Sequence, residues 1–409
     1  MLGSTALGVT MRSILSTTLT SAAIAGMPAL RALIVDQSRD RSAIAASRML
    51  HADGWEVGTG AWRPSIASKS SATSKHHRVE EAESDEDRFI ADIAAAVKVG
   101  KYEVVFANYD VGLLTLSRRR AEIGPAIVPY AEHEVVERSF DKLAFTRAAQ
   151  AAGLSVPRTE EASDATLAAW DGPVVVKARL HAPTRFETRP FASAAEAAPF
   201  VAELRAEGAQ PLLQECITGQ LGAVVVVVDH QGDVVAEVQQ RCDRSWPDGA
   251  GVTARARTIT PDPELAERVR VLVRQLGWFG LAEIEYLLDE EGVPRFTDFN
   301  GRFYGGIALA GHAGVNVAAA WARLAVGLPI TPLAPQRVGA TFQWLNRDLA
   351  ASRHADGLKG MATALALAPR SAHSMVAPGD LSPLLRFYLP EIGKRSAGAV
   401  VSRIRRSDV

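Results

Sequence analysis

The chain has 409 residues, of which 47% are hydrophobic and 22% are charged, and 45 basic against 46 acidic residues give a formal net charge of −1. A chain of this length exceeds one ordinary core and predicts two or three domains that each bury their own apolar residues. The balanced charge excludes the basic field that nucleic-acid binding usually needs, and no uncharged apolar stretch of about 18 residues is present to span a membrane.

The first 28 residues are set apart from the predicted fold. The stretch MLGSTALGVTMRSILSTTLTSAAIAGMPA has the order of a weak export signal, with Arg12 before a mildly apolar run, but Ser and Thr dilute that run. Met27 stands just before the first convincing strand, which favours an over-extended start. We therefore expect residues 1–28 to be disordered.

Residues 29–135 predict an α/β domain with a parallel sheet. The segment ALRALIVD (29–36) indicates a short buried strand, and RSAIAASRMLHADG (41–54) has apolar residues at helical spacing. The polar, Ser-rich stretch at 63–87 is typical of a loop. A helix at FIADIAAAVKVG and a strand at YEVVFANYD (102–110) follow, which repeats the strand–helix alternation of α/β domains.

Residues 136–330 predict a second domain with two hairpins. The segment RSFDKLAFTRAAQAAGLSVPR (138–158) indicates a helix that ends at Gly153. The other predicted elements, in chain order, are a strand at 172–179, a helix at 193–208, a hairpin at 223–241, a helix at 262–278 and a hairpin at 280–301. Residues 331–409 form a C-terminal tail whose role the sequence does not indicate.

The second hairpin carries polar side chains on one face of each strand. Alternation assigns to that face Glu283 and Glu285 on the first strand and Phe296, Asp298, Asn300 and Arg302 on the second. A turn between Glu291 and Gly292 brings Glu285 opposite Asp298, where two carboxylates repel each other. A divalent cation removes this repulsion, and two carboxylates with the Asn300 amide are hard oxygen ligands that suit Mg²⁺. The alternative is a solvated hairpin face.

Basic residues extend this hypothesis to phosphate chemistry, because phosphoryl transfer needs cations on the phosphates beside a bound Mg²⁺. Lys177 interrupts the apolar strand PVVVKAR, where a charge is costly unless it meets an anion. An edge-strand lysine is the alternative for Lys177. Lys142 stands at a helix start, where a solvated lysine is the alternative. Arg241 either reaches a transferred phosphoryl group or is a solvated charge near a strand end.

Two further pairs of residues are candidates for ligand contacts. Asn108 and Asp110 leave a predicted strand at the sheet edge where α/β ligand sites usually lie, with helix capping as the alternative. Gly305 and Gly306 open an apolar helix, so their N–H groups either hold a substrate carboxylate or mark a turn that needs close packing.

Several common motifs are missing from the sequence. It has no GxxxxGK[ST] loop and no GxGxxG, so neither the P-loop nor the Rossmann fingerprint applies. Cys216 and Cys242 lie far apart and without a CxxC partner, which argues against zinc and disulfide frameworks and is typical of thiols in a reducing compartment. These features predict a cytoplasmic protein.

The order of the remaining motifs resembles that of the ATP-grasp superfamily. The segments DKLAFTRAAQAAGLSVP, VVVKA, LLQECITG, GLAEIEY and FTDFNGRFYGG follow one another as in that superfamily, over roughly residues 30–330. The chain is most similar to the carbamoyl-phosphate-synthase-like branch of stand-alone ATP-grasp proteins, in which a segment similar to QQRCDRSWPDGAGVT precedes the metal-binding hairpin. The resemblance implies an α+β ATP-grasp fold: a parallel α/β domain at 29–135 followed by a two-lobed ATP-grasp domain at 136–330.

The resemblance also implies how the nucleotide is bound. Lys142 and Lys177 would contact the phosphates of ATP. Gln214, Glu215 and Ile217 would form a hinge that binds adenine largely through backbone groups.

For the metal and the chemistry, the resemblance implies that Glu285, Asp298 and Asn300 hold Mg²⁺, with Mn²⁺ as an alternative. Arg302 would stabilise an acyl-phosphate and the tetrahedral intermediate that follows it. The implied reaction activates a small-molecule carboxylate with ATP, and an amine then attacks, releasing ADP and phosphate. Neither nucleic acid nor a membrane is an expected partner, and a homodimer is allowed.

Three departures from the family pattern keep a second function open. Asp298 replaces the usual Glu, and Leu221 stands where many members have an acid for the ribose. The loop ARLHAPTRFETRP has no glycine, so Arg179 and Arg185 would have to serve as phosphate donors. The substituted loop and Leu221 favour a catalytically inactive ATP-binding sensor or partner subunit, whereas the retained Glu285, Asp298, Asn300 and Arg302 favour a ligase that forms carbon–nitrogen bonds.

Overall fold

The structure, a computed structural model, describes residues 29–180, 188–247, 251–330 and 333–388. The predicted extension at 1–28 lies outside these residues, and so does the segment 181–187, which is the centre of the Gly-free loop and includes Arg185. The C-terminal tail is described up to residue 388. Within the described ranges, no helix is both long enough and apolar enough to cross a membrane.

The first sheet is parallel and has the strand order β3-β2-β1-β4. Its strands are β1 (Arg31–Val35), β2 (Glu56–Ala61), β3 (Thr73–Arg78) and β4 (Val104–Ala107). The helices of this domain are α1 (Arg41–Ala52), α2 (Glu86–Gly100) and α3 (Asp110–Arg118). The predicted parallel α/β domain is therefore confirmed.

The prediction of a loop at 63–87 is wrong in part, because β3 lies inside that range. β3 is the edge strand of the sheet and carries polar residues, three of which are exposed. An edge strand has a solvated side and needs no continuous apolar run, so its sequence is hard to distinguish from a polar loop.

A small antiparallel sheet has the order β5-β8-β6-β7. Its strands are β5 (Thr159–Glu161), β6 (Val174–Ala178), β7 (Arg189–Phe191) and β8 (Pro211–Glu215), and its helices are α6 (Asp164–Ala169) and α7 (Ala194–Ala206). Trp170, Phe200 and Leu213 belong to a separate apolar core inside this unit. We call residues 159–215 the small lobe.

The large sheet has seven strands in the order β13-β12-β9-β10-β11-β14-β15. They are β9 (Gln220–Val228), β10 (Val234–Trp246), β11 (Val252–Thr258), β12 (Gly280–Leu288), β13 (Pro294–Asn300), β14 (Thr341–Gln343) and β15 (Ser371–Ala372). Both predicted hairpins are present, as β9–β10 and β12–β13. The sheet continues past residue 330, since β14 pairs with β11.

The remaining helices join and cover these sheets. They are α4 (His133–Phe140), α5 (Lys142–Ala151), α8 (Pro263–Leu276), α9 (Ala308–His312), α10 (Val317–Ala325) and α11 (Leu345–Leu367), the last interrupted at Gly357. The sequence predicts one helix from 138 to Gly153, whereas the structure has α4 and α5. Asp141 separates them: its carboxylate accepts hydrogen bonds from the N–H groups of Leu143 and Ala144 at 3.0 Å and caps a new helix.

The first domain and the large sheet share one apolar core. Phe106 on β4 packs against Phe303 and Trp321, with ring centroids 5.0 and 4.7 Å apart. All three side chains are almost fully buried. Because the two units are packed through this core, the ends of β1 and β4 are held beside the segment that follows β13.

Candidate active site

The β12–β13 hairpin positions the predicted metal ligands. Its register pairs Glu285 with Asp298 and Glu283 with Asn300, which confirms the predicted opposition of Glu285 and Asp298. Since directly paired residues share a face of the sheet, all four side chains lie on one face. We call it the cleft face.

A β-bulge on β13 produces this register. The pairing moves from Tyr286 opposite Phe296 to Glu285 opposite Asp298, so Thr297 is an extra residue. The bulge inverts the alternation: Phe296 is fully buried against Tyr286 on the other face, with ring centroids 5.4 Å apart. The predicted shared face of Phe296 and Asp298 is therefore wrong, because alternation assumes an unbroken ladder.

Lys177 connects the small lobe to this bulge. Its Nζ donates a hydrogen bond of 3.1 Å to the carbonyl oxygen of Thr297, and its side chain is 6% exposed. The edge-strand explanation is wrong, because β6 lies between β8 and β7. Burial lowers the pKa of Lys177 to about 8, and the charge of Asp298 opposes this shift. A buried lysine in this state gains from any anion placed beside it.

Lys142 approaches the same carboxylate from the helix between the lobes. As the first residue of α5, it places its Nζ 3.9 Å from Oδ1 of Asp298. The solvated alternative is therefore wrong for Lys142, whose side chain is 20% exposed.

Arg302 is held between the two domains. Its Nε donates to Oδ1 of Asp110, and its Nη2 donates to Oδ1 of Asn300 at 3.2 Å. Asp110 does not cap α3, whose N-cap is Tyr109. Asn108 makes a contact with another element as well, because its Nδ2 donates a hydrogen bond of 2.6 Å to Asp40, the N-cap of α1. The capping alternative is thus wrong for both Asn108 and Asp110.

Glu283 is a site residue to which the sequence assigns no role. Its Oε1 accepts from Nε2 of Gln240 at 3.2 Å, and its Oε2 accepts from Nδ2 of Asn300 at 3.3 Å. Burial raises the pKa of Glu283 well above its usual range, and the charge of Glu285 raises it further. The signal in the sequence is the alternation of GLAEIEY, which places Glu283 and Glu285 on one face.

The donor set of the cleft face fits a hard divalent cation. Burial, followed by the charge of Asp298, raises the pKa of Glu285 to about 7, so the pair is costly without a cation. Two carboxylates and the Asn300 amide oxygen are the ligand types that Mg²⁺ prefers. The described residues contain no cluster of three or more His, Cys, Asp or Glu side chains arranged around one ion. Phosphate oxygens or water would therefore complete the coordination, as is usual for Mg²⁺.

Arg241 lies on the opposite face of the large sheet. The register aligns Arg241 with Gly222 and Tyr286, whereas Gln240 aligns with Ala223 and Glu285. Burial raises the pKa of Tyr286, and a hydrogen bond from Arg241 opposes that rise. The register places Gln240, and not Arg241, on the cleft face, so it does not support a contact between Arg241 and a transferred phosphoryl group, which stays a prediction.

The predicted hinge joins the two sheets covalently. Gln214 is buried on β8, and its Nε2 donates a hydrogen bond of 2.9 Å to Oγ1 of Thr159. Its side-chain amide group is therefore engaged within the small lobe. Glu215 ends β8, and Ile217 lies in the four-residue connection to β9. A Cβ at Gly219 would lie 2.2 Å from the carbonyl oxygen of Leu288, which explains the glycine at this close approach.

Arg179 is already paired on both sides. Its Nε donates to Oδ2 of Asp141 at 2.8 Å and its Nη1 donates to Oε1 of Glu161 at 2.9 Å. These bonds attach the end of β6 to the cap of α5, which indicates a structural role for Arg179 at the root of the loop.

Comparison with known proteins places these features in context. Residues 209–347 match a family model described as "ATP-grasp in the biosynthetic pathway with Ter operon". A search of curated proteins finds no match. Among solved structures, the biotin carboxylase domain of Hydrogenobacter thermophilus 2-oxoglutarate carboxylase, in complex with MgADP, ADP and bicarbonate, has a TM-score of 0.61 and 16% identity. That alignment covers 76% of this chain and 73% of the other.

A synthetase and a ligase give similar alignments. N5-carboxyaminoimidazole synthetase from Staphylococcus aureus, complexed with ADP, has a TM-score of 0.60 and 10% identity over 78% of this chain and 82% of its own. The L-amino acid ligase from Bacillus licheniformis has a TM-score of 0.57 and 15% identity, with 73% and 75% covered. Similarity at this level of identity defines the fold. The chain has the ATP-grasp fold, as predicted, and the finer assignment to the carbamoyl-phosphate-synthase-like branch stays a prediction.

Proposed function

We propose that the chain is an ATP-dependent ligase that joins a small-molecule carboxylate to an amine through an acyl-phosphate and releases ADP and phosphate. The observation that carries this proposal is the convergence of opposite charges from two lobes. Glu285 and Asp298 come from the large sheet, Lys177 comes from the small lobe, and Lys142 comes from the helix between them. Phosphates with a divalent cation are the ligand that satisfies both sets.

In this proposal, each part of the site has one task in binding. Lys142 and Lys177 bind the phosphates of ATP, and the hinge at 214–217 binds adenine. Glu285, Asp298 and Asn300 would hold Mg²⁺, or Mn²⁺ as an alternative. The bound ion would neutralise the charge of the phosphates and orient the γ-phosphoryl group.

The reaction then has two displacement steps. An oxygen of the substrate carboxylate attacks the γ-phosphorus, the bond to the bridging oxygen breaks, and ADP leaves. The nitrogen of the amine then attacks the acyl carbon, phosphate leaves, and the nitrogen loses a proton. The Arg302 guanidinium, held in place by Asp110 and Asn300, stabilises the negative charge that develops on the acyl oxygen.

The test is a screen for ADP release that depends on added substrate. Pools of acids and amines are incubated with Mg-ATP, and active pools are resolved by mass spectrometry for a product equal to acid plus amine minus one water. A carboxylate labelled with a heavy oxygen isotope should transfer one labelled oxygen to the released phosphate, which is the signature of an acyl-phosphate.

The same screen separates the alternative function. A catalytically inactive sensor should be stabilised by Mg-ATP without releasing ADP with any pool. Transfer of phosphate to a product that remains phosphorylated would also contradict the ligase. Asp298→Asn serves as the control for contaminating ATPases, since its ADP release should fall to background.

A further inference from the structure

Arg41 brings a guanidinium from the first domain to the edge of the cleft face. It is the first residue of α1, and its Cζ lies 3.8 Å from the ring centroid of Trp344, a cation–π contact. On another side it contacts Gly305, where a Cβ would lie 2.5 Å from Nη2. This approach supports close packing as the role of Gly305. Trp344 and Gly305 thus hold the guanidinium in one position without accepting hydrogen bonds from it.

Several buried polar atoms around this position lack a hydrogen-bond partner. Among the described residues, they include one donor, Nη1 of Arg41, and two acceptors, Oδ1 of Asn108 and Oε1 of Gln240. The hydroxyl of Tyr304 is a fourth. Asn108 and Tyr304 are 1% exposed and Gln240 is 7% exposed. Because buried polar atoms are normally paired, unpaired ones on neighbouring side chains indicate the place of a ligand.

These groups are connected through short contacts. Asn108 donates to the Asp40 carboxylate beside Arg41 at 2.6 Å. Tyr304 and Gln240 both lie within 3.8 Å of the Cβ position of Gly306, the neighbour of Gly305. Gln240 in turn donates to Glu283 on the cleft face. The side chains that carry the unpaired atoms are therefore neighbours of one another, from Arg41 to the site described above.

The charges around the unpaired atoms are mixed. Arg41 and Arg302 are the cations, and Asp40, Asp110 and Glu283 are the carboxylates. A simple carboxylate or phosphate would satisfy Arg41 and leave the two amide oxygens unpaired. A simple amine would satisfy those oxygens and leave Arg41 unpaired. A ligand with both an anionic oxygen and N–H donors satisfies all of them.

We propose that this region is the binding site for the amine substrate and that this substrate is an amino acid. Its carboxylate binds Arg41, and its amino group faces the free oxygens of Asn108 and Gln240, toward Glu283 and Arg302. The inference rests on the proposed ligase function and adds the class of its amine substrate. Arg41 is then the residue that selects an amino acid over an amine without a carboxylate.

The experiment measures binding rather than turnover. Common L-amino acids are tested for stabilisation of the protein, and the Kd is measured by calorimetry, with and without Mg²⁺ and a non-hydrolysable ATP analogue. We expect at least one L-amino acid to bind. For that amino acid, Arg41→Met should raise the Kd roughly 10–100-fold, the range for losing a charged hydrogen bond. The Kd of the ATP analogue should not change.

A matched control and a second variant make the result specific. Arg347→Met removes an exposed guanidinium 5.3 Å from the same Trp344 ring and should leave amino-acid binding unchanged. The amine that corresponds to the bound amino acid but lacks its carboxylate should bind the wild-type protein and the Arg41→Met variant with equal, weak affinity. If Arg41→Met does not fold, Gly305→Ala displaces the guanidinium without removing its charge and should also weaken amino-acid binding.

The outcomes separate this inference from the proposed function. The inference is overturned if the nucleotide analogue binds but no amino acid does, or if the amine without a carboxylate binds wild type as tightly as the amino acid. Equal weakening by Arg41→Met and Arg347→Met would also overturn it. Amino-acid binding that depends on Arg41, in a protein that binds no nucleotide, would uphold the site and overturn the ligase proposal.

Discussion

The large sheet and the small lobe differ in how they are packed and in the charge they bring to the site. The large sheet shares its core with the first domain through Phe106, Phe303 and Trp321, and it carries the carboxylates. The small lobe has its own core and reaches the other sheet through Lys177 and the carbonyl of Thr297. Anionic groups therefore lie on the more extensively packed unit, and a cation lies on the unit that packs separately.

This difference suggests how the two units share the work. A metal site needs ligands held in fixed relative positions, which a sheet with a continuous core supplies. In the proposed function a nucleotide enters between the units, and we expect the separately packed lobe to be the one that moves. Changes on the large sheet should therefore affect turnover most, and changes on the small lobe should affect nucleotide affinity most.

The largest effect is expected for the carboxylate pair of the large sheet. Asp298→Asn should reduce Mg²⁺-dependent ADP release to background, because an anionic metal ligand is lost. Stability of the nucleotide-free protein should change by less than about 1 kcal/mol, since lost repulsion from Glu285 and lost attraction to Lys142 offset each other. Melting temperature with and without Mg-ATP, together with ADP release, tests both statements.

A control lies in the same hairpin. Glu291→Gln removes an exposed carboxylate in the turn, away from the cleft face, and should leave turnover unchanged. If Asp298→Asn retains near-normal turnover, the metal is bound elsewhere and the proposed function loses its main support.

The second effect separates the two faces of the large sheet. Arg302→Ala should bind Mg-ATP normally and lose turnover by about 10²–10³, the scale for one transition-state charge contact. Arg241→Met, on the opposite face beside Tyr286, should retain turnover within about threefold, because only groups that contact the transition state change kcat strongly. Comparable losses of kcat in the two variants would show that the register does not separate their roles.

The third effect concerns Lys177 on the small lobe. Its pKa of about 8 leaves it partly neutral near that pH, and phosphates favour its charged form. Nucleotide binding should therefore take up a proton above pH 8, approaching one proton as pH rises, and affinity should fall over the same range. Calorimetry in two buffers with different ionisation enthalpies measures the uptake.

The lowered pKa of Lys177 also predicts how the stability of the fold depends on pH. The folded-state pKa lies below the ordinary value of 10.5, so between about pH 8 and 10.5 the unfolded chain binds more protons and stability rises with pH. Lys177→Met should abolish the proton uptake, and it should remove the contribution of Lys177 to the rise of stability with pH. The same substitution should weaken ATP binding about 10–100-fold. Lys98→Met, an exposed lysine on α2, is the control. Proton uptake that persists in Lys177→Met would assign it to another group.

Local patterns in the sequence were sufficient for the hairpins. The predicted opposition of Glu285 and Asp298 is present, but it arises because the bulge at Thr297 offsets a turn that is centred on Glu291 rather than between Glu291 and Gly292. Local patterns failed where the ladder is interrupted. The bulge at Thr297 places Phe296 on the face opposite to that of Asp298. Alternation contains no sign of an extra residue, and nothing in it indicates that the Thr297 carbonyl accepts a hydrogen bond from Lys177 of the other sheet.

The sequence also does not predict the contacts between the structural units. Asp110 and Arg302 are separated by 192 residues, and Arg41 meets Trp344 from another domain. Each of these side chains has an ordinary local explanation as a helix-start or surface residue. Only the shared core around Phe106 brings them together, so periodicity and motif spacing cannot predict the pairs.

The smallest effect concerns the hinge that joins the compared sheets. Adenine presents an N6 donor where guanine presents an O6 acceptor, so a backbone that binds one through hydrogen bonds mismatches the other. We expect ATP to bind about tenfold more tightly than GTP, the scale of one hydrogen bond. Competition against a fluorescent ATP analogue measures the ratio. Inosine triphosphate shares the O6 acceptor of GTP and lacks its amino group, so it should bind like GTP. If it binds like ATP instead, discrimination comes from exclusion of the guanine amino group, and residues 214–217 do not read the base through the backbone.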